Sequence, residues 1–147
     1  MSAAITILDT NVVAEPMRPS PSATVLSWLS RKPDGGHFFV TTITVAEILF
    51  GIELLPNGKR RDKMLAQANA TFVEDFAGRI LPFDEPAARA FPEIAAARRA
   101  HGRPISELDA QIAAIAHSRT ATLATRNTAD FEGCGVRLVN PWQPADR

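Results

Sequence analysis

Short apolar runs alternate with stripes of helical period from one end of this chain to the other. Ala3-Ala4-Ile5-Thr6-Ile7-Leu8 reads as a first buried strand that ends at Asp9. His37-Phe38-Phe39-Val40, Ile80-Leu81-Pro82-Phe83, Ala121-Thr122-Leu123-Ala124-Thr125 and Val136 to Val139 predict four more strands. Between them the spacing predicts helices. Ser22 to Ser30 carries Val25, Leu26, Trp28 and Leu29 on its apolar side, and Val45 to Leu55 stops at Pro56-Asn57-Gly58. A long helix from Lys59 to Ala77 places Met64, Leu65, Ala68, Phe72 and Phe76 on one stripe, with Gly78 as its stop. Asp84 to Ala100, closed by Gly102, and Ser106 to Ser118 complete the set. Prolines 16, 19 and 21 stop any helix after Thr10-Asn11-Val12-Val13-Ala14-Glu15, Asp34-Gly35-Gly36 signals a turn, and Pro141-Trp142-Gln143-Pro144 reads as an irregular tail.

Strands of this kind separated by helices predict an α/β fold, a mostly parallel central sheet covered on both faces. Residues 1–147 read as a single domain, with no internal repeat, low-complexity tract or linker. In such sheets, sites form beyond the carboxyl ends of the strands, which directs attention to acidic residues at element ends.

Four carboxylates stand where apolar or small residues are the norm: Asp9, Glu47, Asp109 and Asp130. Asp9 continues the face of Ile5 and Ile7, so its carboxylate extends an apolar row; the plainer alternative is a turn aspartate capping the next helix. Glu47 lies in the apolar segment Val45-Ala46-Glu47-Ile48-Leu49-Phe50, yet Thr44-Val45-Ala46-Glu47 also matches a capping box, and both readings stand. Ser106-Glu107-Leu108-Asp109 has a similar capping form, but Asp109 shares its face with Ile112, Ala113 and Ala116, the stripe that packs inward. Asp130 falls in Arg126-Asn127-Thr128-Ala129-Asp130, a polar loop by its composition. Two carboxylates about 4 Å apart repel by about 4 kcal/mol at an effective dielectric near 20. If the four converge, a hard divalent cation relieves that conflict, since such ions prefer oxygen ligands.

Composition narrows the alternatives. Sixteen basic and sixteen acidic side chains cancel, so no global basic field marks a nucleic-acid binder, although a carboxylate site bordered by arginines gives the same balance. One cysteine, Cys134, leaves no internal disulfide and no thiolate zinc site. His37, His101 and His117 are scattered, without paired ligand spacing, and no P-loop or dinucleotide-binding glycine pattern is present. No signal-like segment opens the sequence and no apolar run approaches a membrane span, so the expectation is a cytoplasmic protein without a membrane partner. Lys59-Arg60-Arg61-Lys63 and Arg98-Arg99 with Arg103 read as solvated helix faces. Arg126, between the last acid and its strand, suits a phosphodiester approaching the site.

Four blocks carry a family resemblance: Leu8-Asp9-Thr10-Asn11-Val12-Val13, Thr44-Val45-Ala46-Glu47-Ile48 with Gly51-Ile52, Leu108-Asp109-Ala110-Gln111-Ile112-Ala113-Ala114, and Leu123-Ala124-Thr125-Arg126-Asn127-Thr128-Ala129-Asp130-Phe131. Taken in order, across essentially the whole chain, they resemble a PIN-domain protein, closest to the VapC/FitB-like toxins of bacterial type II toxin–antitoxin pairs. The resemblance implies a three-layer α/β/α sandwich and a Mg²⁺- or Mn²⁺-dependent ribonuclease. It also implies a homodimer, held inactive by a small antitoxin that commonly binds DNA, as a heterotetramer or larger assembly. Asp9, Glu47 and Asp109 match the three central acidic positions. Asn127 and Asp130 both lie in the block that supplies the fourth. Thr10 and Asn11 match the polar pair after the first acid, and Thr125, Arg126 and Asn127 fall in the supporting segment. Glu107-Leu108 stand before the third acid, where relatives often carry proline or a small residue.

The leading expectation is therefore a metal-dependent endoribonuclease toxin acting on structured RNA, tRNA being the family's usual target, with Arg126 and Arg103 assisting. The competing expectation is a regulatory subunit whose working surface is an antitoxin groove formed by the helices after Thr44 and Lys59. Phosphoryl transfer through an aspartyl intermediate at Asp9 is set aside, because it wants a second aspartate where Asn11 stands.

Overall fold

The computed structural model describes residues 4–31 and 37–144; the turn expected at Asp34-Gly35-Gly36 lies outside them. Elements follow in the order β1 (Thr6–Leu8), α1 (Thr10–Ala14), a 3₁₀ turn (Glu15–Met17), α2 (Ala23–Ser30), β2 (Phe38–Thr41), α3 (Thr42–Glu53) and α4 (Lys59–Ala70). A π-helical turn (Thr71–Asp75), β3 (Ile80–Leu81), α5 (Glu85–Ala100), α6 (Glu107–Ser118), β4 (Thr122–Ala124), α7 (Thr128–Phe131) and β5 (Arg137–Val139) complete it. The five strands form one sheet in the order β3-β2-β1-β4-β5, every neighbouring pair parallel.

Successive strand residues point to opposite faces, and each face meets its own core. Ile7 and Leu123 pack with α5 and α6, where residues Ile112 to Ala116 are all fully buried. Leu8 and Ala124, one position on, pack with Val12 and Val13 of α1, Ile48 and Ile52 of α3, and Ala68 of α4. These two cores make the three-layer α/β/α sandwich.

Several element boundaries differ from the expected ones. Helix α3 begins at Thr42 directly after β2, capped by Thr41, whose hydroxyl accepts from the Thr44 amide at 3.2 Å. Thr44 is therefore not the cap, and Glu47 belongs to the second turn of α3 rather than to a capping box. The expected single helix from Lys59 to Ala77 is α-helical only to Ala70 and then widens into the π turn that seats Phe72 in the core. Residues Thr128–Phe131, expected as loop, form a one-turn helix that buries Phe131.

The inward stripe of α6 should show in stability. Ile112→Ala is expected to cost about 3 kcal/mol, the usual scale for truncating a buried aliphatic side chain. Leu108→Ala, in the exposed first turn of the same helix, should cost no more than about 0.5 kcal/mol. Urea unfolding of both variants checks this, and equal losses would contradict the packing described.

Candidate active site

Chain order reverses at β1. The connection from β1 leads to β2 on one side, whereas β4, its other neighbour, leads on to β5. Two adjacent strands whose connections diverge leave a crevice beyond their carboxyl ends. Asp9 follows β1 and Thr125 follows β4, so both stand at that crevice. The Asp9 amide donates to the Ala124 carbonyl at 2.8 Å, carrying the ladder one residue past the strand.

Asp9 is only 5% exposed. Its Oδ1 accepts from the Thr10 amide at 2.8 Å, which makes it the N-cap of α1 as well. Its Oδ2 accepts from the Thr125 hydroxyl at 2.7 Å and from the Asn11 side-chain amide at 3.3 Å. All three donors are neutral. Burial pushes the Asp9 carboxyl up to about 6; the Thr125 and Thr10 hydrogen bonds pull it down, and Asp109 and Glu47 push it further up. The capping and functional readings of Asp9 thus hold together: the cap fixes its position, and burial sets its chemistry.

Glu47 reaches the same place through hydroxyls. The Thr10 hydroxyl donates to Glu47 Oε1 at 2.8 Å and lies 2.9 Å from the hydroxyl of Thr44, which is fully buried. Asp109 enters from the first turn of α6, capped by Ser106, whose hydroxyl accepts from the Asp109 amide at 3.2 Å. Burial raises the Asp109 carboxyl most; the Ser106 bond opposes this, Asp130 raises it, and Arg98 lowers it. Asp130, exposed on α7, therefore joins the group through Asp109. Glu107 faces solvent at the start of α6.

Glu47 and Asp109 act electrostatically on Asp9, and Asp130 acts on Asp109. Among the described residues, no three carboxylate, imidazole or thiol groups are already drawn into a coordination shell. The donor set still fits a hard divalent ion. Asp9 is buried with neutral donors only, its neighbours Glu47 and Asp109 are carboxylates, and every candidate ligand is oxygen. An ion such as Mg²⁺, which keeps several of its waters and takes one or two carboxylates, suits an open arrangement of this kind.

The supporting residues are also brought in. The Thr125 hydroxyl, while donating to Asp9, accepts from the Asn127 amide at 3.1 Å. The Asn11 side-chain Oδ1 accepts from the Arg126 amide at 3.3 Å. The Arg126 guanidinium lies over the Trp142 ring, 5.0 Å from its centroid, on the exposed rim. The Asn127 backbone carbonyl accepts from the Asp130 amide at 3.0 Å. One expected solvated face is corrected: Arg98 is 6% exposed and donates to backbone carbonyls, while Arg103 pairs with Glu132 at 3.0 Å. Sequence reasoning also missed Glu15, which is buried and accepts from the Ser22 amide at 2.7 Å and from Arg18 at 3.2 Å, tying the proline-rich segment to α1. Its one signal was an acid directly before Pro16.

A groove of about 1060 Å³ runs along α1, α3 and α4. Met17, Ile48, Ile52 and Met64 give it an apolar lining, Arg18, Arg60 and Lys63 add charge, and Thr10 and Glu47 connect it to the acidic crevice.

Comparisons with known proteins agree on one family. The PIN-domain family model matches residues 6–133. Toxin FitB of Neisseria gonorrhoeae (strain ATCC 700825 / FA 1090) is 40% identical over 136 residues, 92% of this chain and 97% of that protein. VapC ribonuclease Y4jK of Sinorhizobium fredii (strain NBRC 101917 / NGR234) is 37% identical over 139 residues, 95% of this chain and 99% of that one. A solved structure of FitAB bound to an IR36 DNA fragment superposes with a TM-score of 0.86 at 39% identity, covering 97% of this chain and 99% of its counterpart.

The raised Asp9 carboxyl makes a prediction with a definite sign. Between about pH 4 and pH 6 the folded protein holds a proton on Asp9 that the unfolded chain releases, so metal-free stability falls as pH rises through that window. The full effect is about 3 kcal/mol. In EDTA at pH 7.5, Asp9→Asn should be more stable than wild type by about 1 to 3 kcal/mol, the disturbed Thr125 bond offsetting part of the gain. Below about pH 4 the advantage should vanish. Urea unfolding at three pH values reads this directly, and an advantage independent of pH would rule Asp9 out as its source.

Proposed function

The chain belongs to the PIN-domain family, as a toxin of the VapC/FitB type, and we propose on that premise that it is a Mg²⁺- or Mn²⁺-dependent endoribonuclease restrained by an antitoxin. The observation that carries this reading is Asp9: a buried carboxylate at the sheet's switch point, held by neutral donors and facing further acids. A positively charged side chain in that position would have neutralised the crevice. Hydroxyls hold the charge in place and leave it uncompensated.

In this reading Asp9 and Asp109 hold the ion, and Glu47 and Asp130 complete the set directly or through water. Asp130 is the choice for the fourth place because, unlike Asn127, it can bring a negative charge to a hard cation. When bound, the ion supplies Lewis acidity at the scissile phosphate and activates water for phosphodiester hydrolysis. Thr125 fixes the Asp9 carboxylate toward the crevice, and Thr10 does the same for Glu47. Arg126, steadied on Trp142, gives the incoming RNA backbone a positive contact at the rim. The substrate class is structured RNA, with tRNA the first choice on family grounds, and the relative named VapC ribonuclease supports a nuclease.

The antitoxin belongs in the groove along α1, α3 and α4. A segment laid there would cover Ile48, Ile52 and Met64 and reach Glu47, shutting RNA out of the crevice. FitB, a toxin, is seen in FitAB on DNA, which supports a DNA-binding partner for this chain too. Phe50 on α3 and Leu54, which caps it, are exposed and offer apolar surface for the homodimer contact.

Purified partner-free protein incubated with a tRNA pool should cut only with Mn²⁺ or Mg²⁺ present. Asp9→Asn should lower the rate by roughly 100-fold or more, the scale for losing a group that stabilises charge in the transition state. Arg126→Ala should weaken cleavage without abolishing it. Cutting that survives both EDTA and Asp9→Asn would overturn the assignment.

A further inference from the structure

Arg98 lies on α5, outside the acidic group, yet it is buried and spends its guanidinium on backbone carbonyls of two segments, the turn after α5 and residues 129–132. Its Nε donates to the Arg103 carbonyl at 2.7 Å. Its Nη1 donates to the Glu132 carbonyl at 2.6 Å and the Ala129 carbonyl at 3.4 Å. Arg103 closes on the same stretch, with Nη2 on the Ala129 carbonyl at 3.0 Å and Nη1 on the Glu132 carboxylate at 3.0 Å. Ala129 and Glu132 bracket Asp130, and the Ala129 carbonyl belongs to the peptide that joins Ala129 to Asp130.

The two arginines are themselves fixed by the end of α5. The Gly102 amide donates to the Arg99 carbonyl and the Arg103 amide to the Arg98 carbonyl, with Gly102 at φ +71°. This is a Schellman turn, which needs a residue tolerant of positive φ at Gly102. Helix α7 has four residues, too few to hold its own shape in water, and its terminal carbonyls have no partners within the helix. The clamp supplies those partners.

We propose that Arg98, together with Arg103, is a positioning element that holds Asp130 at the acidic crevice and thereby sets the affinity of the site for its divalent ion. This rests on the metal-site reading above. Guanidinium geometry matters as well as charge: one fork spans two elements, which a lysine ammonium cannot reproduce.

Mn²⁺ binding followed by titration calorimetry tests the idea on the full chain, with thermal melts to confirm folding. The set is wild type, Arg98→Lys, Asp130→Asn and the double variant. Arg98→Lys keeps the charge and should still weaken Mn²⁺ binding about 10-fold, the low end for residues that orient ligands. Asp130→Asn should do the same, and the double variant should be no weaker than either single one. Arg103→Gln, at the more exposed half of the clamp, should shift affinity in the same direction and carries the test if Arg98→Lys fails to fold. The proposal is overturned if folded Arg98→Lys, or Arg103→Gln standing in for it, binds Mn²⁺ like wild type, or if the losses multiply in the double variant. Absence of Mn²⁺ binding by wild type would instead sink the metal-site reading, and the proposal with it.

Discussion

A carboxylate buried at the end of the central strand is the constraint around which this molecule is arranged. Removing Asp9 from water disfavours its charge, and Glu47 and Asp109 disfavour it further. A protein selected only for stability would place an apolar residue there, or pair the acid with an arginine. This one surrounds the crevice with hydroxyls. Thr125 supports Asp9, Thr10 supports Glu47, Thr44 supports Thr10, and Thr41 starts the helix that delivers Glu47. Thr41, Thr44 and Thr125 are all fully buried. Hydroxyls satisfy buried polar groups without cancelling charge, so the donors that hold Asp9 fix its carboxylate and leave its charge to its surroundings.

Topology decides where that potential is concentrated. An all-parallel sheet needs helices on both faces, and here each face has its own core. Reversal of strand order at β1 leaves a gap between diverging connections, and residues after β1 and β4 meet across it. Asp109 comes from α6, the most completely buried helix, which packs under the same strands. Three acids thus ride on elements that the core fixes, and their relative placement is as rigid as the fold itself.

Much of this was legible in the chain. Alternating strand and helix periods gave the layered sheet because burial on both faces demands near-continuous apolar strands. Asp9 and Asp109 stood out because each interrupts an apolar face. What pattern could not settle was competition among similar local signals. Thr41 and Thr44 both offer caps to the same helix; the choice fell to Thr41 because the Thr44 hydroxyl is turned toward Thr10, a partner 34 residues away in sequence. Arg98 resembled a solvated residue because its partners are backbone carbonyls of residues 103, 129 and 132, which have no side-chain signature. Helix α7 is too short to have a period, and the π turn after α4 is set by the seating of Phe72 rather than by composition.

The same contrast separates the fourth acid from the other three. Asp9, Glu47 and Asp109 are placed by a strand end and by two helices of twelve residues each. Asp130 sits on a single helical turn whose position depends on two arginine side chains reaching from α5 and the turn beyond it. Lost core packing would move the first three together, whereas a change at the clamp would move Asp130 alone. Asp130 is therefore the acid whose placement can vary without disturbing the fold, by a shift of the short helix. Asn127 and Asp130 both lie in this segment, so the sequence alone offered two residues for the fourth place. The arginine clamp ties down the carbonyls on either side of Asp130 and makes no contact with the Asn127 side chain among the described residues.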